Sequence, residues 1–320
     1  MFKTLLSTLS DGQFHSGDVL GDQFGVSRTA IWKQLKKVED LGIPLESVKG
    51  KGYRIPGGLD LIDGGVIRES LLPQVSELVS GLDVRDVVDS TNVIALNQAM
   101  AGACGYVCTA EQQTAGKGRR GKAWASPYAS NLYMSVVWEF VEGAAALEGL
   151  SLAVGVAVVE ALNRAGVNGV QLKWPNDVLC QGRKLAGILL EVAGDLAGPC
   201  RVVVGIGLNV NMPSAADIDQ PWIDIKEINR DAANRNQLLA LILNELIPLL
   251  SDFERQGFSS YRDRWLALDA YAGREVAMLL GDESVIGRAV GVDKSGAVLV
   301  ETSSGVRTFS GGEVSLRARS

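Results

Sequence analysis

The chain has 320 residues, of which 47% are hydrophobic and 21% charged, with a net charge of −6 and one histidine. That length accommodates two or three domains with their own cores, and that composition excludes wholesale disorder. A single histidine, His15, excludes a multi-histidine metal centre and disfavours Ser-His-Asp hydrolysis, so chemistry must run on Lys, Arg, Asp and backbone amides.

Residues 1–58 read as three short helices and a hairpin. Leu5, Leu6 and Leu9 give the first helix an apolar face; Ser16 caps the second, Gly25-Val26 turns, and Ser27 caps a third carrying Ile31, Leu35 and Val38. The third exposes Arg28, Thr29, Lys33, Lys36 and Lys37, and 48–54 reads as a two-stranded wing with a Gly-Lys-Gly tip. This combination resembles a winged helix-turn-helix DNA-binding domain, with 27–39 expected in a DNA major groove and Lys49, Lys51 and Arg54 near phosphates, and a small packing or dimerisation module is the other reading. Eight Lys or Arg stand against six Asp or Glu in this unit, so its basicity is local. Pro56-Gly57-Gly58 reads as the linker.

Residues 60–268 mix helical periods with β-rich runs, an α+β pattern rather than alternating βα units. Strands are expected at 84–88, 106–109, 131–138, 171–174, 177–180, 185–192 and 201–210. Helices are expected from the cap Ser90-Thr91-Asn92, over 147–164, and over 237–255 and 258–268. The apolar runs 150–162 and 238–250 are too short and too interrupted to span a bilayer. No secretory signal is legible at the N-terminus, and a cytoplasmic protein without membrane partners is expected. Cys104, Cys108, Cys180 and Cys200 form no CxxC pair and are expected to be reduced and partly buried. From Gly273, five short strands are expected, divided at 281–282, 293–296, 303–305 and 311–312. They read as a small barrel similar to SH3 domains within 270–320.

Four segments in the middle carry chemistry. Gly116-Lys117-Gly118-Arg119-Arg120-Gly121-Lys122, with Trp124 beyond, combines unobstructed amides with four cations, a composition suited to an anion. It is neither a Walker A loop nor a GxGxxG turn, and alone it reads equally as a solvated surface loop. Lys173-Trp174-Pro175-Asn176-Asp177 has a proline that stops the ladder and turns three polar side chains into a cleft. The segment 182–191 begins with Arg183-Lys184, and its Ala186-Gly187 pair leaves room for a flat ligand. Finally, 205–211 places Gly205 and Gly207 in a strand, followed by Asn209.

These segments, in this order and spacing, resemble the biotin–protein ligases. The winged helix in front and the small barrel behind are similar to the bifunctional ligase/biotin-operon repressors of that family. The resemblance implies ATP-dependent formation of biotinyl-5′-AMP and transfer of biotin to a lysine of a biotin carboxyl carrier protein. ATP, Mg²⁺ and biotin would be bound. Ser90, Thr91, Asn92, Gln113, Gly116, Lys117, Gly118, Gly187 and Gly205 would line the biotin and adenylate site. Lys184, Asp177 and Arg119 would be catalytic, with Asp177 accepting the incoming lysine's proton. Arg120, Trp124, Lys173, Asn176, Asn209 and Trp222 would face the nucleotide. Repression would use operator DNA and a homodimer formed when the adenylate is bound.

At position 117 the family pattern has arginine. Lys117 keeps the charge and loses the bidentate fork. Two alternatives stay open: a lipoate–protein ligase with the same architecture, and a biotin-sensing repressor without catalysis.

Overall fold

The computed structural model describes residues 1–194, 198–213, 218–280, 283–311 and 314–318. The N-terminal unit contains α1 (Phe2–Leu9), α2 (Gly17–Phe24), α3 (Arg28–Asp40) and the hairpin β1 (Glu46–Val48) and β2 (Gly52–Arg54). Ser16 and Ser27 accept bonds from Val19 N and Ala30 N, each cap stabilising its helix by about 1 kcal/mol. Gly25 turns between α2 and α3 with φ 64°, a left-handed conformation that glycine adopts without strain. His15 pairs through its main chain with Tyr53 and bonds Asp11 at 3.0 Å, so the chain's histidine anchors the wing.

The middle of the chain runs through α4 (Gly64–Glu69), α5 (Pro73–Leu78), β3 (Gly81–Val88), α6 (Thr91–Met100), β4 (Tyr106–Gln113) and β5 (Leu132–Phe140). It continues with α7 (Leu150–Arg164), β6 (Val170–Lys173), β7 (Asp177–Cys180), β8 (Arg183–Gly194), β9 (Cys200–Leu208), α8 (Ile225–Ile228), α9 (Arg235–Gln256) and α10 (Arg262–Leu268). Seven strands form one sheet in the order β3-β4-β5-β9-β8-β7-β6, parallel at β3/β4 and antiparallel at the other junctions. The helix expected from 147 starts at Leu150, and the one expected over 258–268 divides into a 3₁₀ turn at Phe258–Ser260 and α10.

Strand alternation divides the sheet's work. Val202, Val204, Ile206 and Leu208 of β9 point into a core shared with α7 and α9. The opposite face receives α6, whose Ala95 and Ala99 pack on Val137 and Val203, and leaves the rest of that face open for a site.

β10 (Glu275–Leu280), β11 (Glu283–Val292), β12 (Val298–Thr302), β13 (Gly305–Phe309) and β14 (Val314–Ala318) make an antiparallel sheet in the order β13-β12-β11-β10-β14. Five strands are as expected, and among the described residues β13 and β14 do not pair to close a barrel. The turn expected at 281–282 and residue 312 of the last one lie outside the described residues. Val276, Met278, Val298 and Val300 join the main core, so this sheet packs on the central one.

The linker is firmly held. A Cβ at Gly58 would lie 2.2 Å from Ser10 O, and Leu59 N donates to that same carbonyl at 3.1 Å. Arg235, 1% exposed, donates from its main chain to Asp60 Oδ2 (2.6 Å) and from its guanidinium to Asp60 O (2.6 Å), Asn131 O (2.9 Å) and Glu111 (2.8 Å). Ile62 N donates to the same Glu111 carboxylate at 2.6 Å, and Asn236 bonds both Leu61 O and Asp63 N. Tyr128 and Ala129 complete the core of the N-terminal unit around Leu5, Leu6 and Leu9.

Candidate active site

Register places the site on the α6 face. Ser135 of β5 faces Gly205 of β9, and Gly207 faces Gly187 of β8, which faces Asp177 of β7. Residues opposite one another in an antiparallel pair share a face, so these side chains and three glycines line one floor. Lys184, an odd number of residues from Gly187, would ordinarily point to the other side. A β-bulge between Val178 and Leu179 pairs Lys184 with Leu179 and returns it to the Asp177 side. Ala186, expected beside the ligand, falls on the other face and is fully buried in the core.

At one end of the floor is a polar pocket. Ser90 occupies the N-cap of α6, but its hydroxyl makes no cap bond; Gln113 Oε1 instead accepts from Thr91 N at 2.9 Å and from the Thr91 hydroxyl at 3.2 Å. Asn92 donates to Glu191 at 2.6 Å, while Ser135 Oγ lies 2.5 Å from Asn92 Oδ1 and 2.8 Å from Thr91 Oγ1. Gln113 continues the network by donating to Ser126 Oγ at 3.2 Å. Gly205 exists for this pocket, because a Cβ there would meet Asn92 Oδ1 at 2.2 Å. Gly116 is similarly constrained, with Ser126 Oγ and Trp124 O each 2.8 Å from a built Cβ. Ser135, Glu191 and Ser126 were not expected as site residues. Ser135 is signalled by a lone serine within an apolar strand and Glu191 by its place at the end of the segment 182–191, while Ser126 has no local signal.

At the other end is a charge cluster. Asp177 is held by Lys184 on one carboxylate oxygen at 2.7 Å and by Lys173 on the other at 3.4 Å. Each oxygen of this carboxylate is thus engaged by one ammonium group. Asn176 donates to Ile188 O at 2.7 Å and accepts from Arg119 at 3.4 Å, which draws the basic loop to the floor. Burial, then the like charge of Arg120, lowers the Arg119 pKa from its usual value, and Asp177 opposes that shift.

Between the two ends lies Trp124. Its ring would sit 3.1 Å from a Cβ at Gly187 and 2.5 Å from one at Gly207, and Lys184 Nζ approaches its centroid to 5.3 Å. The indole N–H is buried without an acceptor. The loop itself is lightly tied: Gly118 N donates to Lys122 O at 2.7 Å, Trp124 N donates to Gly116 O at 2.9 Å, and Arg120 takes φ 58°. Lys117 and Arg120 are exposed.

Two expected nucleotide residues behave differently from each other. Asn209 is 5% exposed and its side-chain amide donates to Lys184 O and Ile223 O, tying the start of β8 to the segment before α8. Trp222 is half-buried and pairs through its main chain beside Lys184. The four cysteines are free, and burial pushes the Cys108 thiol up to about 12. Among the described residues no group of three or more His, Cys, Asp or Glu side chains could hold a metal, and no helix is long and apolar enough to cross a membrane.

On the N-terminal unit, Ser27, Arg28, Thr29 and Lys33 lie exposed on or beside α3, as do Lys49 and Lys51 at the wing tip. Arg54 is engaged within the unit, pairing with Glu46 at 2.7 Å and stacking on Phe14 at 4.5 Å. Trp32, unexpected here, is 53% exposed.

The matches to known proteins follow the same three parts. The biotin/lipoate A/B protein ligase family matches residues 84–209, an HTH domain matches 3–54, and the biotin protein ligase C-terminal domain matches 271–317. The bifunctional ligase/repressor BirA of Salmonella typhimurium is 40% identical over 318 residues, covering 98% of this chain and 97% of its own. That of Escherichia coli is 39% identical, with 98% and 96% covered. The biotin protein ligase of Aquifex aeolicus, solved in complex with biotin and ATP, superposes with a TM-score of 0.66 at 31% identity over 75% of this chain and all of its own. On identity along nearly the whole chain, with the HTH, ligase and C-terminal domain models all matched, this chain belongs to the biotin–protein ligase family, in the group of bifunctional ligase/repressors.

Proposed function

We propose that the chain is an ATP-dependent biotin–protein ligase and a biotin-responsive repressor. The observation that carries the ligase reading is the Lys184–Asp177–Lys173 cluster, placed on the glycine floor one indole away from the hydrogen-bonded Thr91–Asn92–Gln113–Ser135 group.

In the first step the biotin carboxylate attacks the α-phosphate of ATP. A P–O bond forms to biotin, the bond to the β-phosphate breaks, and pyrophosphate leaves. Ser90, Thr91, Asn92, Gln113 and Ser135 hold the biotin head by hydrogen bonds, and Gly205 and Gly187 make the room in which Asn92 and the Trp124 ring line that site. Lys184 brings positive charge to the carboxylate and to the phosphoryl oxygens as they gain charge. Asp177 fixes its direction. Lys173, Asn176, Arg119 and Arg120 receive the phosphates, with Trp222 on the adenine side. Mg²⁺ is assigned to the phosphates of ATP, since the described residues offer no protein cage for it. In the second step a carrier lysine attacks the biotinyl carbonyl as a neutral amine. The C–O bond to AMP breaks, AMP leaves as the phosphate anion, and the amine's proton passes to solvent. The loop 116–122 covers the anhydride and excludes water, with Lys117 giving it a point charge in place of a fork.

For repression, adenylate under the loop favours a homodimer whose paired α3 helices reach two half-sites of operator DNA. Cytoplasmic localisation belongs to this reading, as does a carrier domain as protein partner.

The test is incubation of the chain with biotin, MgATP and a biotin carboxyl carrier domain, followed by mass measurement of the carrier. One added biotinyl group is expected, and pyrophosphate exchange driven by lipoate rather than biotin would overturn the substrate. A duplex from the biotin-gene promoter should bind more tightly when biotin and MgATP are present. Equal binding without them would overturn the repressor half.

A further inference from the structure

α3 is fixed to its domain by Ile31, Leu35 and Val38, one stripe at helical spacing. Trp32 lies outside that stripe and is the only exposed tryptophan among the described residues. Arg28 and Thr29 precede it by four and three residues and Lys36 follows by four, so all share a surface strip. Lys36 Nζ is 5.8 Å from the indole centroid. Arg28, Thr29, Lys33, Lys36 and Lys37 are all exposed around it. A large apolar ring set among cations suits a surface that is anionic at its rims and carries apolar groups inside. The DNA major groove has that chemistry, since phosphates line its edges and each thymine projects a methyl group into it.

We propose that Trp32 reads sequence, closing its indole on a thymine 5-methyl group in the major groove while Lys36 holds a neighbouring phosphate. This rests on the repressor reading given above. The contact is apolar and releases no counterion, so it separates cleanly from the cationic contacts of the same helix: it adds sequence preference without adding salt dependence.

The experiment uses the full chain with biotin and MgATP and a duplex selected by it from a random pool. Each thymine of that duplex is then replaced in turn by deoxyuridine, which removes only the methyl group. One position in each half-site should weaken binding about fourfold, the value of one buried carbon. In Trp32→Ala that position should become indifferent to the methyl, overall affinity should fall, and the slope of affinity against salt should stay as in wild type. Trp32→Phe should restore part of the methyl preference, and thermal melting of both variants reports their folding. A Trp32→Ala chain that melts as wild type but keeps the methyl preference, or that loses salt slope instead, overturns the proposal. Failure to select any duplex overturns the repressor reading and the proposal with it.

Discussion

Lys184 and Arg119 bring the same charge to the same floor from opposite kinds of support. Lys184 sits in β8, paired on both sides, its direction set by a bulge and its ammonium by Asp177 at 2.7 Å. Arg119 sits on a loop between strands, outside the sheet's ladder, and its guanidinium reaches Asn176 at 3.4 Å. Groups that must meet charge in a transition state gain from preorganisation on rigid strands, whereas a cover must open for substrate and product. The strand half should therefore set rate, and the loop half retention.

Lys184→Ala tests the first part and carries the largest effect. Biotin-dependent pyrophosphate exchange should fall by about 10²- to 10³-fold, the loss typical of one preorganised donor to a developing anion. A smaller loss than that of Arg119→Gly would invert the comparison. Gly207→Ala comes next. Its Cβ would lie 2.5 Å from the Trp124 ring, so the ring must shift, at a cost of about 1–3 kcal/mol. The expected result is a raised KM for biotin with kcat reduced less, read in the same exchange assay. Arg119→Gly should leave exchange within about tenfold of wild type and speed adenylate dissociation by about 10-fold or more, as expected for the loss of a charged contact. Indiscriminate labelling of bystander lysines should accompany it, and unchanged retention in a dissociation assay would sink the role given to the loop. Lys117→Arg is the smallest, slowing adenylate release by about two- to fivefold through a regained fork.

Much of this arrangement is legible in the sequence, for identifiable reasons. The caps Ser16 and Ser27, the α3 stripe and the wing follow local rules of spacing, and local rules survive folding. Lys173, Asp177 and Lys184 are named by their segments, yet sequence spacing alone puts Lys184 on the wrong face, because a one-residue bulge reverses strand parity. Asn209 is named by its segment, but its bonds to Lys184 O and Ile223 O are not legible there, since those carbonyls belong to segments distant in sequence. Ser90 looks like a cap, but Gln113 reaches across from β4 to do that work. Trp32 lies off the Ile31-Leu35-Val38 stripe, so spacing turns it outward, but spacing does not show that its ring stands exposed among cations.

The Pro56-Gly57-Gly58 segment, which composition marks as a tether, runs into residues 60–63 that Arg235, Glu111 and Asn236 hold in place, so the connection is a bracket. Each recognition helix is carried at a set offset from its own catalytic sheet. Two such chains brought together would act as a caliper, and the distance between their half-sites on DNA would be dictated by whichever catalytic surfaces meet rather than by the reach of a flexible arm.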